Sequence, residues 1–140
     1  VSNKLKTSKT ERGLALLGAT GIFLAILAVG FFNPSTVAFF PKCPLFSLTG
    51  IACPGCGLTR ALHSLLHGDI LTALDFNLLL PLFLFLAGYF FVSFVLTAVR
   101  GYGLRFQIFS PWLIGTFLSV TIAFGILRNL PFYPFTILYP

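Results

Sequence analysis

The chain has 140 residues, 57% of them hydrophobic and only 9% charged, with nine Lys and Arg against three Asp and Glu. Soluble domains carry roughly 25% charged residues, so a soluble fold of this size would expose large apolar patches, and lipid is the solvent that suits it. The net charge of +6 is not a nucleic-acid signature, because the basic residues are scattered over ends and loops and do not interleave with the 18 Phe.

The first apolar run, residues 14–32, carries no charge and is long enough to cross a bilayer as a helix. Lys4, Lys6, Lys9 and Arg12 precede it. A secretory signal also opens on a basic segment, but its apolar core is roughly 7–15 residues, so this run is expected to remain as an uncleaved anchor. Residues 33–57 contain Pro34, Pro41, Pro44 and Pro54, which argue against helix. Phe39, Phe40, Leu45, Phe46 and Leu48 keep the segment apolar. It is expected to fold back on the spans or lie in the interface, because irregular backbone facing lipid leaves its amides unpaired.

Residues 59–67 read as a short helix with Thr59 as N-cap. Leu58, Ala61, Leu62, Leu65 and Leu66 make its apolar stripe, and Arg60, His63, Ser64 and His67 its polar face. Gly68 stops it, and Asp69 caps a second short helix through Phe76. Both helices suit the membrane interface. The second span is expected at 78–99, with Pro81 in its first turn, where proline is tolerated. A tight basic loop from Arg100 to Arg105 follows. Ser110-Pro111 is a cap and first helical position for a third span at about 111–130. The tail 132–140 is too short and too proline-rich to span. An N-terminus in the cytoplasm gathers Lys4, Lys6, Lys9, Arg12, Arg100 and Arg105 on that side and leaves Lys42, Arg60 and Arg128 outside. This excess predicts a cytoplasmic N-terminus and places the cysteines on the other face.

Cys43-Pro44, Leu48-Thr49-Gly50, Cys53-Pro54-Gly55-Cys56-Gly57, Thr59-Arg60, Gly68-Asp69, Ala73, Asn77 and Arg128-Asn129 together resemble the bacterial domain-of-unknown-function family 2752. The resemblance extends from Cys43 to Pro131 and departs at Leu78, where proline is expected. It implies a small integral protein of the bacterial inner membrane and supplies no activity.

Three readings of the cysteines stand. Cys53, Cys56, His63 and His67 have the residue types of a tetrahedral zinc site, with Cys43 as an alternative ligand. Cys53, Cys56 and Cys43 are the candidates for thiol redox chemistry, since a thiol at a helix N-terminus is acidified. The third reading is a structural staple, Cys43 tied to Cys53 or Cys56. Attached c-type haem is disfavoured because Gly57 follows Cys56. All three sulfurs are expected to cluster. Arg60, Asp69, Asp75, Asn77, Arg128 and Asn129 form a second, polar constellation. Arg60 is expected to pair with Asp69 or Asp75, because an unpaired charge in a partly desolvated place is costly.

The expected architecture is an all-α integral membrane protein of one domain, residues 1–140. Three transmembrane helices carry an extracytoplasmic cap, 33–77, of two short interfacial helices and a Cys/Pro-rich loop. No phosphate loop, nucleophile elbow or paired carboxylates argue for an enzyme. The expected role is a non-catalytic accessory or scaffolding subunit of a larger membrane assembly, with lipid and other membrane subunits or a second copy as partners. The alternative is an extracytoplasmic thiol-redox or zinc-binding membrane protein.

Overall fold

The computed structural model describes residues 7–37, 40, 43–104 and 110–138. Lys4, Lys6, Phe39, Pro41, Lys42 and Arg105 lie outside the described residues. Among those described there are six α-helices and no strand: α1 (Lys9–Phe31), α2 (Pro44–Thr49), α3 (Leu58–Leu66), α4 (Ile70–Phe76), α5 (Leu80–Arg100) and α6 (Pro111–Leu127), then a 3-10 turn at Phe135–Leu138. The chain divides into two compact units, Val1–Ala28 with Leu82–Gln107 and Val29–Pro81 with Ile108–Pro140.

The first unit holds most of α1 and α5. At 1.5 Å per residue these helices measure about 34 and 31 Å, enough for the roughly 30 Å hydrocarbon core of a bilayer. Both are apolar enough to cross one. The start of α1 precedes the apolar run because Ser8 and Glu11 form a capping box. The Ser8 amide donates to Glu11 Oε2 at 2.8 Å, and the Glu11 amide to Ser8 Oγ at 3.4 Å. Gly18 lets the Phe94 ring approach; a Cβ there would lie 3.0 Å from it. The chain leaving α5 is tied back where Leu104 N donates to Ser93 Oγ at 3.2 Å, and Arg12 Nη2 donates to Val99 O in the last turn of α5 at 2.9 Å.

In the second unit, α2 corrects the expectation that prolines exclude helix from 33–57. Pro44 occupies the first turn of α2, where its missing N–H has no intrahelical partner to lose. The start of α3 also differs: Gly57, at φ 82°, is its N-cap, and Thr59 lies inside the helix. Only glycine enters that left-handed conformation without strain, and it lets the cysteine turn run straight into the helix. Asp69 caps α4 as expected, accepting from Thr72 N at 3.1 Å. Ala61, Ala73 and Leu80 are buried, with Leu58, Leu62, Leu65 and Phe76 packed around them. The last long helix, α6, has 17 residues and measures about 26 Å, short of the 30 Å or so of the bilayer core. Arg128 and Asn129 leave it as a turn, with Asn129 N donating to Ile126 O at 3.1 Å.

Candidate metal centre

A tight turn sets the two motif cysteines. Cys56 N donates to Cys53 O at 3.0 Å, and Leu58 N to Gly55 O at 3.1 Å. Cys53 N also donates to Cys56 Sγ at 3.2 Å. Cys43, the N-cap residue of α2, brings the third sulfur. Its Sγ lies 3.2 Å from Cys53 Sγ, which lies 3.0 Å from Cys56 Sγ. The thiols are free, and all three sulfurs fall within 4.8 Å of one another. The expected clustering is therefore present, with Cys53 in the middle.

Three side chains distant in sequence hold this turn by its backbone. Arg128, with no exposed surface, donates from Nη1 to Cys53 O at 2.9 Å and to Cys56 O at 3.1 Å. Its guanidinium also stacks on Phe124, 5.0 Å from the ring centre. Asn77, also buried, donates from Nδ2 to Pro54 O at 2.9 Å and Cys56 O at 3.1 Å. Asn129 clamps Ala52 from both sides: its Oδ1 accepts from Ala52 N and its Nδ2 donates to Ala52 O, each at 2.8 Å. In an apolar surrounding an unbonded carbonyl is costly, so these donors allow irregular backbone to be buried here.

The sulfurs differ chemically. The Phe46 backbone amide, followed by the Cys53 side chain, stabilises the Cys43 thiolate and lowers its pKa to about 7. Burial, followed by the Cys53 side chain, pushes Cys56 up to about 12. A cavity of about 370 Å³ opens beside them, lined by Cys43 and Cys56 with Phe46, Ser47, Thr59 and Arg60.

The remaining expected site residues lie elsewhere. His63 Nδ1 is 2.6 Å from Val29 O and His67 Nδ1 is 2.8 Å from His63 O. Among the described residues neither histidine joins a cluster of metal-ligand atoms with the sulfurs; Cys43 does. The backbone of α3 points the histidines to their own carbonyl partners. Arg60 makes no ion pair with Asp69 or Asp75. Its guanidinium lies over the Phe76 ring, 5.2 Å from the centre, a contact that holds the cation without neutralising it. Asp69 is used as a cap, and Asp75 is exposed. Asn77, Arg128 and Asn129 do converge, on main-chain carbonyls of the cysteine loop.

Gly125 escaped the sequence reading. A Cβ on it would lie 2.9 Å from Pro54 Cγ, so the close approach of α6 to the cysteine turn requires glycine. Its signal was the 125, 128, 129 spacing, which puts Gly125, Arg128 and Asn129 on one helical face. Neither a curated protein nor a solved structure gives a significant match to the chain. Residues 43–91, which contain all three cysteines and Asn77, match the model of the family described as "Protein of unknown function (DUF2752)", the family that the cysteine motif resembles.

Proposed function

We propose that this is a membrane protein that binds a soft divalent metal ion, zinc by ligand class, on Cys43, Cys53 and Cys56. The observation that carries the reading is the convergence of three sulfurs within 4.8 Å. Zinc–thiolate bonds of about 2.3 Å in tetrahedral geometry separate sulfurs by about 3.8 Å. The sulfurs at 3.0 and 3.2 Å thus need to spread by less than about 1 Å to hold the ion. Three protein ligands leave a fourth position, and the cavity beside Cys43 and Cys56 has room for an exchangeable ligand. In this reading α1, α5 and α6 cross the bacterial inner membrane, the N-terminus is cytoplasmic and the cysteine loop lies outside. The excess of basic residues near the N-terminus and after α5 supports that orientation. The 17 residues of α6 are at the lower end of the range of about 17–25 for a span. An accessory or scaffolding place beside other membrane subunits or a second copy is supported by α6, whose Trp112 and Leu113 are exposed.

Zinc titration of the reduced, detergent-solubilised protein tests the site. One equivalent is expected to bind. Binding should be lost in each Cys→Ser variant and retained when His63 and His67 are both replaced by Ala. Because the ion displaces thiol protons, affinity should rise with pH through about 7, where Cys43 loses its proton, and keep rising above it, because Cys56 stays protonated up to about 12. No uptake by the reduced protein would overturn the reading. In intact cells an impermeant maleimide should label Cys43, and protection of Cys43 would reverse the orientation.

A further inference from the structure

We propose that the metal-free thiols form a directional disulfide relay, in which Cys43 takes up an anionic disulfide from the cavity and passes the oxidation through Cys53 to Cys56. The three sulfurs stand in that order, Cys43 3.2 Å from Cys53 and Cys53 3.0 Å from Cys56. Cys43 is half-buried at the cavity, whereas Cys56 is buried. Arg60, Ser47 and Thr59 are among the residues that line the cavity, and the one cation among them suits a negatively charged disulfide over a positively charged one. Arg60 has no carboxylate partner among the described residues that would neutralise it.

The exchange balances. The Cys43 thiolate attacks the incoming disulfide, forms a mixed disulfide and releases one thiolate. Cys53 loses its proton to that leaving group and attacks Cys43 Sγ, which forms the Cys43–Cys53 disulfide and releases the second thiolate. Cys56 then attacks Cys53 Sγ, and its proton goes to the released Cys43 sulfur. The net change is one external disulfide reduced to two thiols and the Cys53–Cys56 pair oxidised.

The probe is oxidised glutathione, with cystamine as the cationic control, on chelator-treated full-length protein in nanodiscs. Mass mapping should find Cys53–Cys56 as the end product. Cys53→Ser should trap glutathione on Cys43 and leave Cys56 free. Arg60→Gln should abolish the preference for glutathione over cystamine, expected to be about tenfold, the lower end of what a charged cleft gives an oppositely charged reactant. Circular dichroism confirms that each variant is folded. Glutathione trapped on Cys56, or no adduct on Cys43, would overturn the relay. Because zinc uptake is measured separately, failure of the relay leaves the metal site standing, and the reverse holds too.

Discussion

Arg128 and Arg12 do the same chemical job in opposite surroundings. Each guanidinium donates to main-chain carbonyls far away in sequence: Arg128 to Cys53 and Cys56, Arg12 to Val99. Arg128 is completely buried and Arg12 is exposed. Water replaces the Arg12 bond when it breaks, so that bond contributes little net stability. Loss of the buried Arg128 takes one donor from each of the Cys53 and Cys56 carbonyls, which keep Cys56 N and Asn77 Nδ2, and leaves a void beside Phe124. The same asymmetry separates the two regions. The helices of the first unit form wherever composition and length suit a bilayer. The cysteine loop exists only because particular polar side chains reach it.

The largest expected effect comes from Arg128→Ala. Hydrogen bonds to charged groups contribute roughly 1.5–3 kcal/mol each, so losing two should destabilise the protein by about 3 kcal/mol or more, read from thermal unfolding in detergent. Arg128→Met sharpens the comparison, because it refills the space beside Phe124 but returns no donor to the Cys53 and Cys56 carbonyls. If the Met variant is stable but binds zinc poorly, the charge serves the thiolates more than the fold. A loss under about 0.5 kcal/mol in the Ala variant, the range of a surface change, would erase the distinction from Arg12.

Gly125→Ala should have an intermediate effect. The added methyl lies 2.9 Å from Pro54 Cγ, and relieving it requires a small shift of the proline ring or of α6. Overpacking of this kind costs about 1–3 kcal/mol, and a single contact with the edge of a ring belongs at the lower end. The variant should melt below wild type and bind zinc more weakly. Unchanged melting would mean that α6 does not seat on the cysteine turn as described. The smallest effect is expected from Arg12→Ala, within about 0.5 kcal/mol, as for an exposed site. A larger loss would show that the last turn of α5 depends on this one bond as the cysteine loop depends on Arg128.

Much of the architecture could be read in advance because its causes are local. Hydropathy and length give α1 and α5, and the Gly68-Asp69 pair marks the end of α3 and the start of α4. The misread boundaries have local causes as well. Ser8 and Glu11 extend α1 toward the N-terminus, and Pro44 starts a helix inside a segment whose prolines argue against one. The site was legible as a list of residues but not as a set of contacts. Arg60, Asp69 and Asp75 look like an ion-pair network in sequence. In the structure Phe76 takes the Arg60 cation and Thr72 takes the Asp69 carboxylate, both within one short helical segment.

Composition alone determined that lipid suits this chain, that its long segments are helical and that its chemistry concentrates around Cys53-Pro54-Gly55-Cys56. Hydrophobicity and helical periodicity are sums over neighbouring residues, so they survive without knowledge of the fold. Only tertiary structure decided that Cys43, and neither His63 nor His67, completes the sulfur group, and that Asn77, Arg128 and Asn129 bind carbonyls. These outcomes turn on which buried backbone groups lack partners. That shortage arises only when segments separated by 21 to 77 positions come together and exclude water.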